Sequence, residues 1–250
     1  MSAVQLRGEA LEKRYGRVAA LRGVDFQVSP GEAIAILGAN GAGKSSLLKI
    51  LAGLSRPSSG RFEALPESGG APLRRERLRG LVGYVGHATL VYGELSAREN
   101  LLFAARLYGQ RPSRERLDQV LGDFALLDVA DRRAGTFSRG LAQRLSIARA
   151  VIHQPSLLLL DEPFTGLDEL SATRLSEQLA AQRSSGRTLV VVTHDPRRAS
   201  ELADRALLLH RGHLRAHLER DTDPDFAADA LRARLAEAAR EDEGMGAPIS

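Results

Sequence analysis

The chain has 250 residues, 43% of them hydrophobic and 26% charged, with 35 basic side chains against 31 acidic ones and no cysteine. That composition supports a sizeable core in one large domain or two small ones, and it excludes a disulfide scaffold or thiolate ligation of metal or haem by this chain. No apolar run approaches the roughly eighteen residues that cross a bilayer, and Arg7 and Glu9 stand where a secretory signal would place its apolar stretch.

In chain order, residues 4–37 alternate and break like strands. "GVDFQV" has period two, "SPG" is a turn signal and "EAIAIL" is a buried strand. A glycine-rich turn leads into "KSSLLKILAGL", whose apolar spacing is helical, and "RPSSG" turns into another short strand. Residues 66–76 mix Pro, Gly and charge and read as a loop. From Ser96 to Arg149 the pattern is mainly helical. "SARENLLFAARLYG" opens on the Ser-x-x-Glu of a capping box and stops at Gly109; "SRERLDQVLGDFAL" is a second amphipathic helix. Strand and helix then alternate: "SLLLLDEP", "ELSATRLSEQLAAQRSSG", "RTLVVVTH", "PRRASELA" and a hairpin in "RALLLHRGHLRAHL". Fully apolar strands alternating with helices predict an α/β fold with a parallel sheet. The tail from Asp223 reads as one helix with a frayed end. All the basic residues except Lys13, Lys44 and Lys49 are arginines, interspersed with acids as in "RRERLRG" and "RPSRERLD". Such runs are solvated helix faces, so no direct nucleic-acid partner is expected.

The sharpest signal is "GANGAGKSS", which matches G-x-x-x-x-G-K-[ST] between a predicted strand and a predicted helix. Gly38, Gly41 and Gly43 let the backbone turn tightly and aim N–H groups inward, with Asn40, Ala42 and Ser46 completing the cradle. The helix beginning at Lys44 adds its positive end. Lys44 supplies a cation for the outer phosphates and Ser45 a hydroxyl for Mg²⁺. Far downstream, "LLLLDEP" places Asp161 and Glu162 at the carboxyl end of a buried strand, the edge at which parallel sheets bind ligands. Asp161 there can orient a Mg²⁺ shell, and Glu162 can polarise an attacking water as general base. "VVTHD" puts His194 at the end of the next strand, within reach of a γ-phosphate. His210, His213 and His217 do not share one face of their hairpin, and a metal site is not expected there.

Between the phosphate loop and the carboxylates lies "FSRGLAQR", followed by "LSIARAV". With "GANGAGKSS", "LLLLDEP", "TGLD" and "VVTHD" in this order, residues 4–215 resemble the ATP-binding subunit of an ABC transporter. The resemblance implies an ABC-type P-loop NTPase: a mostly parallel core sheet flanked by helices, an N-terminal antiparallel β-subdomain and a helical insertion. It implies an ATPase domain over 1–222, a helical subdomain over about 88–150 and a C-terminal tail over 223–250. By the same resemblance "FSRGLAQ" is the signature loop, keeping Ser138 and Gly140, with Arg139 in place of a glycine and Leu141 in place of a glutamine. Tyr15 matches the aromatic that stacks on adenine, or is an ordinary strand tyrosine. Asp168 matches a residue that crosses the dimer interface, and His194 the switch histidine. His87 falls where the family places a glutamine that meets Mg²⁺ or the lytic water. It is either a polar sensor there or a residue that only packs beside Tyr84. The family implies a head-to-tail dimer with a second ATPase chain, ATP and Mg²⁺ as ligands, integral membrane permease subunits as partners, and a peripheral position on the cytoplasmic face of the cell membrane.

"YVGH", "ELSARENLLFAARLYG" and the "SRG" signature further resemble the haem-exporter type of subunit used in cytochrome c maturation, where partner subunits handle the haem. A general exporter of drugs, lipids or ions shares every catalytic motif, and a single-domain ABC ATPase of iron–sulfur assembly shares the motif count. A long coiled coil, as in the DNA-repair type, and a second ATPase domain, as in the translation type, are both missing from this sequence.

Overall fold

The structure, a computed structural model, describes residues 3–223 and 226–244. The chain opens with strands β1 (Val4–Tyr15), β2 (Val18–Val28) and β3 (Ala33–Leu37), helix α1 (Lys44–Leu51) and strand β4 (Ser59–Pro66). A short helix α2 (Arg75–Gly80) leads into β5 (Val82–Val85). The helical block holds α3 (Ala97–Leu107), α4 (Arg114–Asp123) and α5 (Arg139–Val151). Then come β6 (Leu157–Asp161), α6 (Glu169–Ser184), β7 (Thr188–Thr193), α7 (Pro196–Leu202), the hairpin strands β8 (Arg205–His210) and β9 (His213–Glu219), and α8 (Ala228–Gly244).

The strands pair as two sheets. One is antiparallel, in the order β2-β1-β4; the other runs β5-β6-β7-β3-β8-β9, parallel from β5 to β8 and antiparallel at β9. The central strands are apolar throughout because both their faces are covered. Leu157, Leu159, Val190 and Val192 point with Ile34 and Ile36 toward α1 and the antiparallel sheet. Leu158, Leu160, Leu189 and Val191 point the other way, into a core with Leu101, Leu145, Ile147 and Leu175 of the flanking helices. Each fully buried leucine or valine contributes about 2 kcal/mol relative to exposure. A third cluster joins Leu37 and Leu208 to Ala199, Phe226 and Leu231, which seats α8 on the sheet.

Local chemistry sets the helix starts. Ser96 Oγ accepts from Glu99 N at 3.2 Å while Glu99 Oε2 accepts from Ser96 N at 2.8 Å, the reciprocal pair of a capping box. Helix α3 ends at Leu107, with Gly109 in the left-handed region at φ 71. Asn100, fully buried, fastens the segment ahead of α3: its amide donates to the carbonyls of Tyr92, Leu95 and Ser96 and accepts from Tyr92 N. The loop expected over 66–76 is shorter, because α2 takes over at Arg75. The frayed end expected of the tail lies almost wholly outside the described residues.

His153, just beyond α5, is buried with its ring stacked on Tyr108, centroids 3.6 Å apart, and its Nε2–H donates to Val82 O at 3.1 Å. Burial depresses its pKa from 6.5 to about 4. The unfolded chain therefore binds a proton that the folded chain refuses across that interval. Stability should fall as pH drops from about 6.5 to about 4, by at most about 3 kcal/mol from this group. Urea titrations should show a shallower loss over that window for His153→Gln; identical slopes would contradict it.

Candidate functional site

The parallel register gathers the predicted residues. Leu37 pairs with Thr193, and Asp161 with Val192, so the strands β3, β7 and β6 end at nearly one level. The chain leaves β3 as the phosphate loop, β6 as Glu162, β7 as His194 and β5, two residues on, as His87. A cleft of about 500 Å³ at this edge is lined by Tyr15, Asn40, Gly41, Ala42, Gly43, Lys44, Ser45, Ser46, His87, Asp161, Glu162 and His194.

Contacts from remote strands hold the loop in shape. A Cβ on Gly38 would overlap the carbonyl oxygen of Leu209 on β8, and one on Gly43 would overlap that of Ala20 on β2. Both glycines have positive φ, 157 and 104, as has Gly41 at 82, which faces open space. In the β8–β9 turn, the Gly212 N–H donates to Ala42 O at 3.0 Å and the Gly212 carbonyl accepts from Arg22 N at 2.8 Å, tying both sheets to the loop. Gly43 caps α1 without a side-chain acceptor, which leaves the first-turn N–H groups for an anion.

Lys44 is buried, and its ammonium donates to Gly38 O at 2.6 Å and Ala39 O at 3.1 Å, with Glu162 Oε1 3.8 Å away. Burial pulls its pKa below the usual lysine value, while Glu162 and Asp161 pull it back up. Glu162 has a left-handed backbone, φ 53, fixed by donation of its N–H to Val192 O at 2.9 Å; such a backbone costs a non-glycine residue roughly 1 kcal/mol. Its Oε2 accepts from His194 Nδ1–H at 2.8 Å and, weakly, from Thr165 Oγ1 at 3.5 Å. One carboxylate is thereby aimed between a lysine and an imidazole, an arrangement that can hold and redirect a proton.

The residues present fit a phosphate chain with a hard cation. Ser45 and Asp161 offer a hydroxyl and a carboxylate in the same cleft. Among the described residues no three histidine or acidic side chains converge as a metal cage. Such a sparse donor set suits Mg²⁺, which fills its shell with phosphate oxygens and water.

Three predicted residues lie away from this cleft. Ser138 caps α5, its Oγ accepting from Leu141 N at 3.4 Å; Gly140 packs against Ser171; and Asp168 caps α6, accepting from Ser171 N at 2.7 Å, which lowers its pKa. The Arg139 guanidinium folds over Gly166, joining the two loops. His87 is solvent-exposed on the cleft wall and Tyr15 is 49% exposed at its rim. Val18, Ala19, Ala20, Ala39 and Thr165, which no sequence motif singles out, also line the cleft. A visible signal for Val18 is an apolar residue just after the "YGR" turn; for Thr165, it is a hydroxyl three residues beyond Glu162.

A family model described as ABC transporter matches residues 21–165. The Nod factor export ATP-binding protein I of Burkholderia orbicola (strain AU 1054) is 36% identical over 85% of this chain and 70% of that protein. The daunorubicin resistance ATP-binding protein DrrA2 of Streptomyces coeruleorubidus is 36% identical over 90% of this chain and 69% of that protein. Among solved structures, the dimeric post-hydrolysis state of the ATP-binding cassette MJ0796 bound to ADP and Pi superposes with a TM-score of 0.74. It is 27% identical and covers 86% of this chain and 98% of its own.

One crowded glycine and one open glycine separate shape from chemistry. Gly43→Ala should displace the loop from Ala20 and abolish binding of a fluorescent ATP analogue. Gly41→Ala should cost only its left-handed backbone, roughly 1–2 kcal/mol, and keep measurable binding. Equal affinities for the two variants would contradict the clamp.

Proposed function

This chain belongs to the ABC transporter family as an ATP-binding subunit, and we propose that it drives an exporter whose membrane-spanning subunits are separate chains. It is an ATP hydrolase. The observation that carries the mechanism is the convergence of Lys44, Asp161, Glu162 and His194 on one cleft. With nucleotide bound, the loop N–H groups and Lys44 take the β- and γ-phosphates, and Lys44 exchanges Glu162 for phosphate oxygen. Ser45 and Asp161 would hold Mg²⁺, which would supply positive charge to offset that of the phosphates. Glu162 accepts a proton from the attacking water as its oxygen bonds to the γ-phosphorus and ADP leaves. The His194 Nδ1–H keeps the carboxylate turned toward that water. Tyr15, at the rim and with Lys13 Nζ 5.1 Å from its ring centroid, stacks on the adenine.

Ser138, Gly140 and Asp168 lie outside the chain's own cleft, so we assign them to the site of a second ATPase chain, in a head-to-tail dimer. The dimeric form of the related cassette supports this. His87 is the polar residue facing the γ-phosphate end. The segment that follows it is fastened by Asn100 and Arg149, whose guanidinium donates to Leu90 O and lies 5.2 Å from the Tyr92 ring centroid. Beside it, Leu90, Leu107 and Tyr108 are exposed along a groove between that segment and α3. This is the face we assign to a membrane subunit. Among the described residues no helix is long and apolar enough to cross a membrane, which fits a peripheral ATPase on the cytoplasmic face. We divide the chain into an ATPase domain over 1–222, with its helical subdomain over about 88–150, and a tail over 223–250.

Export as the direction is supported by the relatives named for Nod factor export and daunorubicin resistance. Haem delivery, with the haem on partner subunits, is the second reading, favoured by His87 in place of an amide. Glu162→Gln should bind ATP with near wild-type affinity, slow hydrolysis by about 10²–10⁴-fold and accumulate an ATP-bound dimer on size exclusion. Turnover at the wild-type rate would remove Glu162 as the base.

A further inference from the structure

Several arginines on the body of this protein have carboxylate partners. Arg98 meets Asp131, Arg183 meets Asp204, Arg198 meets Glu169 and Glu201, and Arg205 meets Glu32. The arginines around α2 differ. Between residues 74 and 79 four arginines accompany one glutamate, and Arg56 approaches from the turn between α1 and β4. Arg75 and Arg79 both donate to one acceptor, the Gly53 carbonyl, at 2.8 and 3.0 Å, so their guanidiniums lie side by side. None of the five forms an ion pair among the described residues. Burial, then the charges of Arg56 and Arg79, pull Arg75 below the usual arginine pKa, and Glu76 offsets part of this. Arg56, Arg74, Arg77 and Arg79 are exposed, as is the neighbouring Leu54 at 52%.

We propose that this arginine cluster binds the anionic headgroups of a lipid bilayer. The charges are spread over an exposed turn and helix, and a bilayer offers phosphates in a matching two-dimensional array. Leu54 gives the patch an apolar contact at the headgroup level. A groove of about 350 Å³, lined by Leu54, Arg79, Tyr84 and Tyr108, makes the cluster continuous with the face assigned above to a membrane subunit. That this face looks toward the bilayer rests on that assignment; the lipid contact itself needs no other subunit. Arg75 and Arg79 hold the turn in shape through Gly53, while Arg56, Arg74 and Arg77 are available to phosphate.

The test is co-sedimentation of the full chain with vesicles of phosphatidylcholine alone or with about one-third phosphatidylglycerol, at low and at physiological salt. Wild type should bind only the anionic vesicles and release them as salt rises. The triple variant Arg56→Gln, Arg74→Gln, Arg77→Gln should lose about 100-fold in binding, about fivefold per charge, with ATPase activity unchanged. Removing Arg7 and Arg61, exposed arginines on the antiparallel sheet, should leave vesicle binding nearly intact. The proposal is overturned if wild type ignores anionic vesicles, or if the Arg7/Arg61 control loses as much as the triple variant. It is equally overturned if poly-glutamate or duplex DNA is bound in preference to vesicles, or if millimolar inorganic phosphate displaces them. None of these outcomes touches the assignment of Glu162 or of the dimer.

Discussion

The strands β6, β7 and β3 run parallel and in register, and the chemistry of the molecule depends on that. Because Asp161 stands opposite Val192 and Thr193 opposite Leu37, three chain segments separated by more than thirty residues leave the sheet at one edge. Glu162 then accepts a hydrogen bond from His194 and sits 3.8 Å from Lys44 without any long side-chain reach. The register itself is held by burial on both faces of the sheet. A one-residue slip would turn the side chains of an entire strand to the opposite core.

Much of this was legible in the chain. "AIAIL", "LLLLD" and "TLVVVT" read as buried strands because no polar residue interrupts them, and "GANGAGKSS" announced a phosphate cradle by its glycines and lysine. The capping box of Ser96 and Glu99 was visible for the same reason: its partners are three residues apart. Remote contacts were not legible. Nothing local says that Gly38 must be a glycine because Leu209 O lies against it, or Gly43 because of Ala20 O. Nor does the sequence show that β1 is twelve residues long, pairs with both β2 and β4, and carries three register shifts against β2. The burial of Phe226 and Leu231 of the tail against Leu37 and Leu208 was likewise invisible, since an alanine- and arginine-rich helix gives a weak apolar stripe.

Arg139 is one of the residues at which the signature loop differs from the resemblance described above, and the structure gives that difference a place. Its guanidinium rests on Gly166, whose positive φ and missing side chain make room for it. Gly140 packs against Ser171. The loop that carries Ser138 is therefore in contact with the loop that follows Glu162 within one chain. His87 forms the other link, since the segment that follows it is pinned by Asn100 and Arg149 to the helical block.

In the dimer we propose, ATP is hydrolysed between two chains, with the phosphate loop of one facing Ser138 of the other. It is tested most directly by mixing two inactive variants, Lys44→Ala and Ser138→Arg, and measuring ATPase activity. Each alone spoils both sites of its homodimer, whereas a mixed dimer pairs one intact phosphate loop with one intact Ser138. The account predicts that mixing restores hydrolysis at one site per mixed dimer. Activity that stays at the level of the separate variants would contradict it.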